Sequence, residues 1–360
     1  MILGYHAVVS PRLEVSRRLM ALTLFGGIGT GIIVSTIFLL TQGMALSDLA
    51  NQFLYYTFAD PEGLDQTLTR SIPLILVGLS VAVCLKVKFW NIGVEGQLWA
   101  GAIGATAVVV YHVGPNSLHL PLMFLAAMLG GGLWCGVCAA TRIYLRANEV
   151  ITTLLMNYVA YMLAQQLLYG AWRNPTDSFP VSVTFDMSER LPLLGFGHVH
   201  AGIFISIGAA LFCWWLCSFS RVGIMSRAVA ANPLAARAVG VPVARIILLM
   251  AVLGGALSGL AGLAVVAGEE YKLTQFVGND FIFPSIVVAY LARSNPLGVV
   301  VASLAIAGLY TAGDSLKAFY QLPGATVLTI EATLLLCVSC FEFLLRYRLA
   351  WVKIPKLAKI

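Results

Sequence analysis

Asn91, Glu95 and Gln97 stand among glycines at the head of an apolar run, in the stretch Phe89–Ala105, FWNIGVEGQLWAGAIGA. Two amides and a carboxylate at this spacing can hold a polar solute by hydrogen bonds. An ionisable group inside a membrane is costly and characteristically faces a cavity or a partner. Gly93, Gly96 and Gly101 permit a broken helix or a close helix approach. A broken half-helix also offers unpaired N–H groups to a polar ligand. The competing reading is an interfacial cap, with Glu95 beside Lys86 or Lys88. A second stretch, Arg146–Tyr161, reads RANEVITTLLMNYVAY. Asn148 suits a helix N-cap, and Glu149 in the first turn meets the positive end of the helix; both read as structural. Asn157 lies deeper and is the pathway candidate, with Thr152 and Thr153 on the same helix.

Other residues suggest chemistry and fail on their surroundings. Cys135/Cys138 and Cys337/Cys340 have C-x-x-C spacing, which in a soluble protein points to zinc or redox work. All seven cysteines fall inside apolar runs, where cysteine behaves as a small hydrophobe, and no disulfide is expected. His198 and His200 are too few for a metal site; His112 and His119 also fall near outer loops. Glu331 falls in the last apolar run, where it can line a cavity, and Glu342 suits pairing with Arg346 four residues on. No G-x-x-x-x-G-K-[ST] loop, nucleophile elbow, zincin motif or Rossmann fingerprint occurs. The chain is therefore expected to have no catalytic residues, metal or cofactor of its own.

The elements that must position these groups follow from composition. The 360 residues are 59% hydrophobic and 11% charged, with mean hydropathy +0.89. Soluble domains carry about 25% charged residues. A membrane span needs roughly 20 apolar residues, and such runs recur throughout. The expected fold is an all-α polytopic membrane protein, one domain over 1–360. Its ten spans are placed near 19–43, 68–87, 92–112, 120–142, 150–171, 199–219, 243–267, 281–292, 297–313 and 325–346. The first is read as a retained span, being long for a signal sequence and lacking a cleavage site. With ten spans both termini share a side. Of the 22 Lys and Arg, only Arg70, Arg173, Arg190, Lys272 and Lys317 then fall on the opposite side, which holds most of the acids. The positive-inside bias makes the basic side cytoplasmic, so the net charge of +6 reflects topology and no nucleic-acid partner is expected. Outer loops near Met44–Thr67 and Arg173–His198 are long enough to receive something from outside. NEVITTLLMNY in the fifth span echoes GATVLTIEATLLL in the tenth, and the spans before each also look alike but run in opposite directions. That pattern suggests an inverted repeat around a pathway.

On the cytoplasmic side, between spans six and seven, lies RAVAANPLAARAVGVPVAR, Arg227–Arg245. Asn232 can cap a helix, Pro233 suits its first position and Gly240 its stop. Small residues Ala235 and Ala236 let another surface come close, and Arg237 can meet acids on it. A plain amphipathic loop on lipid headgroups is the alternative.

NIGVEGQLWAGA, NEVITTLLMNY, AVAANPLAARAVGV and NPLGVV, in this order, resemble the inner-membrane permease subunits of bacterial ABC importers. The group is the branched-chain amino acid, ribose and simple-sugar type, and NIGVEGQ with NEVI points to its nucleoside branch. The likeness covers about 67–348. It implies a multi-pass protein of the bacterial inner membrane. Its partners would be a cytoplasmic ATPase that binds ATP and Mg, a second permease, identical or homologous, an extracytoplasmic solute-binding protein or lipoprotein, and membrane lipid. It assigns ATPase coupling to the helix at about 232–240, through Asn232, Pro233, Ala235, Ala236, Arg237 and Gly240. It assigns the translocation pathway to Asn91, Gly93, Glu95, Gly96, Gln97 and Asn157. The implied solute is a nucleoside or a related polar ring compound. Asn279-Asp280-Phe281, Pro284, Tyr290 and Ala292-Arg293 depart from the usual pattern of this family. An ion-coupled secondary transporter is the alternative from another class.

Overall fold

The computed structural model describes residues 5–12, 16–278, 281–321 and 323–353. Its chain divides into two compact units, one of 1–55 with 312–360 and one of 56–311.

In the first unit, α1 (Arg17–Thr41) starts at Ser16, whose hydroxyl accepts from the Leu19 amide. It packs on α13 (Gly324–Arg346). Gly27 permits the approach, since a Cβ there would lie 3.1 Å from the Val338 backbone. A short helix, α2 (Leu46–Ala50), and a wide turn at Asn51–Tyr56 follow α1. The terminal segments form an antiparallel pair: β1 (Tyr5–Pro11) runs beside β2 (Tyr347–Lys353), with Tyr5 opposite Lys353 and Pro11 opposite Tyr347. This small sheet stands beside a fold that is otherwise helical, as expected. The helices α1 and α13 end side by side and bring two extended tails within reach of each other.

The second unit is helical. Its members are α3 (Pro61–Leu85), α4 (Val94–Val110), α5 (His119–Leu145), α6 (Glu149–Tyr169), α7 (Gly202–Phe219), α8 (Arg221–Ala231), α9 (Pro233–Ala238), α10 (Val243–Ala264), α11 (Ile282–Leu291) and the first part of α12 (Pro296–Tyr320). A helix overlies every one of the ten expected spans. Among the described residues six helices are long and apolar enough to cross a membrane, and Phe25–Thr41, Val94–Val110 and Ile282–Leu291 are shorter apolar helices. The expected loop Met44–Thr67 is mostly helical, because Asp60 caps the Glu62 amide and Pro61 opens α3 ahead of the apolar run.

The centre of this unit is made of glycine. A Cβ on Gly131 of α5 would overlap the Gly255 carbonyl oxygen of α10, and one on Gly255 would overlap that of Gly131. Gly259 stands in the same relation to Ala127, Gly262 to Leu98 of α4, and Gly130 to Ala100. Three backbones therefore touch, as small residues allow where no side chain intervenes. Around this centre, α3 is almost wholly buried.

The segment 170–201, which holds the loop expected on the outer side, is fixed. Ser182 and Phe185 donate backbone amides to the Leu273 and Tyr271 carbonyls, at 3.0 and 2.8 Å. Leu191 donates to Ala267, in the widened π turn Val265–Glu269 that ends α10. The Asp65 carboxylate accepts the His198 and Val199 amides at 2.7 and 3.0 Å. A buried pair, His119 Nδ1 to Glu189 at 2.8 Å, ties the segment to α5.

Candidate functional site

The turn 86–93 joins α3 to α4. Asn91 is 2% exposed and Gln97 is fully buried, so each must find partners inside the protein. Asn91 donates from Nδ2 to Gln97 Oε1 at 2.9 Å and to Ser80 Oγ at 3.2 Å. Its Oδ1 accepts from Gln97 Nε2 at 2.7 Å and from the Gly93 amide at 3.1 Å. Asn157 reaches across from α6: Oδ1 accepts the Gly96 amide at 2.8 Å, and Nδ2 donates to the Ile92 carbonyl at 3.0 Å. Thr153, one turn earlier, accepts the Ile92 amide at 3.3 Å.

Glycine is required at two of these positions. A Cβ on Gly96 would lie 2.9 Å from the Asn157 Cα, and one on Gly93 would lie 3.0 Å from the Thr153 carbonyl oxygen. Both serve the close approach of α4 to α6. The structure thus brings together Asn91, Gly93, Gly96, Gln97 and Asn157 in one network, and adds Ser80 and Thr153. Glu95 is half-buried in the first turn of α4 and has an interaction of its own. Ser80 was missed in the sequence because it is one hydroxyl in a long apolar run.

Asn148 caps α6 through the Val150 amide at 2.9 Å. Glu149 is held by Arg142 of α5 at 3.1 Å. The same guanidinium donates to the Lys88 carbonyl at 2.9 Å and lies 5.5 Å over the Phe89 ring. Arg142 therefore ties the ends of α5 and α6 to the turn that carries Asn91. Nothing in the spacing of Arg142 and Lys88 announces that tie, since they stand far apart in the chain.

The second predicted constellation stands apart, on α8 and α9. Asn232 Oδ1 accepts the Leu234 and Ala235 amides at 3.0 and 3.2 Å, and Pro233 opens α9. Gly240 takes the left-handed conformation, φ +84°, that ends the turn. Ala236 is buried and anchors the helix, while Leu234, Arg237 and Val239 project, with Leu234 76% and Val239 79% exposed. Arg227 of α8 secures the elbow by donating to the Cys217 carbonyl.

No group of three metal-ligating side chains occurs among the described residues. All seven cysteines are free thiols. The side chains of Glu331, Glu342 and Arg346, and residues Asn279 and Asp280, lie outside the described residues.

A helical, integral membrane chain with a buried polar network at a helix start and an exposed capped elbow has the form of a transport subunit. Residues 63–339 match the family described as branched-chain amino acid transport system / permease component, and the chain belongs to it. Its likeness is to ABC permeases of the nucleoside and simple-sugar branch. It is 35% identical over 303 residues to the glucose ABC transporter permease protein TsgB13 of Haloferax volcanii, covering 81% of this chain and 80% of that one. It is 28% identical over 314 residues to the guanosine ABC transporter permease protein NupP of Bacillus subtilis, covering 86% and 90%. Among solved structures, PsaBC from Streptococcus pneumoniae in complex with Fab gives a TM-score of 0.42 at 14% identity, covering 84% of this chain and 95% of that one.

Proposed function

We propose that this chain is the permease subunit of an ATP-driven importer for a nucleoside or a related polar ring solute, such as a simple sugar. It sits in the bacterial inner membrane with a second permease. A cytoplasmic ATP-binding-cassette ATPase drives it, and an extracytoplasmic solute-binding protein or lipoprotein loads it. ATP and Mg belong to the ATPase. The observation that carries this reading is the near full-length likeness to permeases named for glucose and guanosine.

The geometry supports the division of labour. The α8–α9 elbow is built without outside help and presents Leu234, Arg237 and Val239 to whatever docks there. Closure of the ATPase pair would push this knob and tilt the spans on either side. Asn91, Gln97 and Asn157 frame the pathway by fixing where α4 starts against α6, with Gly93 and Gly96 setting the distance. Glu95 is the charged group of that region.

The test is uptake of labelled guanosine and glucose by proteoliposomes holding the chain with its ATPase, second permease and binding protein, with and without ATP. ATP-dependent, competable uptake is expected. Uptake that needs an ion gradient and ignores ATP would replace the importer with a secondary transporter.

A further inference from the structure

The tripeptide Asn-Pro-Leu occurs twice, at Asn232–Leu234 and at Asn295–Leu297. Both copies do the same local work. Asn295 Oδ1 accepts the Leu297 amide at 3.2 Å, as Asn232 Oδ1 accepts that of Leu234 at 3.0 Å. Pro296 opens α12 as Pro233 opens α9. The first copy is the α8–α9 elbow, and the second joins α11 to α12. An Asn-Pro start is good capping chemistry in any helix, so the repeat alone assigns nothing.

The two elbows border the same turn, 86–93. Gly202, which opens α7, faces Ile72 near the start of α3. At the other end Lys86 lies within electrostatic reach of Cys217. The two helices therefore run side by side in one direction, and α7 leads into the first elbow. On the other flank Gly78 of α3 faces Val288 of α11 and Val299 of α12. Trp90 in the turn lies 6.1 Å from Tyr290 at the end of α11, ring to ring. The second elbow, Arg293–Asn295, is thus set beside the turn as well.

This face is basic. Segments 86–95, 142–149, 220–245 and 290–297 hold nine basic residues and two acids, Glu95 and Glu149. Glu149 is held by Arg142, and Glu95 has an interaction of its own. Three of the cations take a conformation that suits glycine. Lys88, Arg146 and Arg293, at φ 52°, 55° and 51°, stand within three residues of the ends of α3, α5 and α11. Left-handed backbone costs such a residue more than an exposed helix end returns to a cation. Strain of this kind persists where the side chain has a use. Apolar surface accompanies the charge: Trp90 is 44% and Leu297 39% exposed.

We infer that the α11–α12 elbow is a second seat for the cytoplasmic ATPase, where Arg293 meets a carboxylate of that partner and Trp90 and Leu297 meet an apolar patch beside it. A face this basic complements an acidic surface, and the turn 86–93 makes it continuous with the α9 elbow. A body seated at both elbows binds more tightly than at either alone. It also carries α12 with it when it shifts, and not only the spans that flank α9. This inference rests on the import reading and adds a contact to the ATPase which that reading calls for.

The experiment measures the dissociation constant of the ATPase from the permease pair in lipid-free detergent, for the parent, Arg293→Gly and Leu297→Glu. Glycine removes the guanidinium and relaxes the backbone, so R293G should melt no lower than the parent. Leu297 lies in the first turn of α12, where an acid suits the positive helix end, so L297E should fold as well. Each variant is expected to raise the dissociation constant about ten-fold, the effect of losing one hydrogen bond to a charged group. Added salt should weaken the parent complex more than that of R293G. Should R293G melt lower, L297E decides alone. Arg237→Glu is the reference. If it weakens binding while both elbow variants bind as the parent does, this inference falls and the import reading stands. Weakening that appears only when anionic lipid is added gives the elbow to lipid headgroups and overturns the inference equally. A parent that recruits no ATPase removes the import reading and this inference with it.

Discussion

At the scale of single residues, buried polar atoms decide the outcome. Asn157 satisfies two backbone groups of the α3–α4 turn, so Asn157→Leu strands the Gly96 amide and the Ile92 carbonyl. A loss of about 2–6 kcal/mol is expected, from one to three for each of the two stranded groups, read as a lower melting temperature in detergent. His200 gives a pH dependence. Burial pushes its imidazole down to about 4, and Nδ1 accepts the Gly202 amide at 3.1 Å, which the neutral ring allows. Unfolded histidine titrates near 6.5, so the folded state binds fewer protons between those values. The contribution of neutral His200 is complete above about pH 6.5 and declines as pH falls toward 4, by at most about 1.4 kcal/mol per unit. Lowering the pH from about 7.5 to about 5 should reduce the melting temperature of the parent more than that of His200→Asn. Equal reductions would mean that other groups carry the acid sensitivity. Glu189 adds a third case. Removing one partner of a buried pair costs about 3–5 kcal/mol, so His119→Ala should open the outer segment to protease while parent protein resists.

At the scale of elements, the capped helices were readable and the ties between them were not. Asn148, Asn232 and Pro233 announce their helices because capping is local: the side chain reaches an amide two or three residues on. The ten apolar runs are equally local. By contrast Arg142 meets the Lys88 carbonyl, and Asp65 meets the His198 amide, across long stretches of chain that no periodicity links. For this reason nothing in the sequence of 170–201 announces how firmly it is held. The α9 elbow yields a prediction at its own scale. Arg237→Glu leaves its capping and the buried Ala236 untouched, so the chain should fold normally but recover less ATPase when purified. Full recovery and full uptake would remove the elbow from coupling. The α5–α10 contact yields another. Gly259→Leu drives a side chain into the Ala127 carbonyl, well beyond the 1–3 kcal/mol of ordinary overpacking, and monodisperse protein should not be obtained.

At the scale of the whole molecule, contact between the backbones of α4, α5 and α10 leaves no room for a solute among those three helices, so the pathway proposed above would have to use a different side of α4. Glu95→Ala tests that side: uptake should fall while assembly with the partners is retained, and normal uptake would leave Glu95 an interfacial group. The membrane class and its helices were legible from composition and run length. The strand pair at the ends was not, because two short tails of unremarkable composition carry no signal until α1 and α13 bring them together. That pairing sets a schedule for synthesis. Residue Pro11 waits for Tyr347, and at ribosomal rates of about 5–20 residues per second the delay is on the order of 20–70 s. Throughout that interval α1 is inserted without α13, its packing partner. A stop or a fusion that delays α13 and β2 should therefore leave α1 exposed for longer than any helix whose partner lies nearby in the chain.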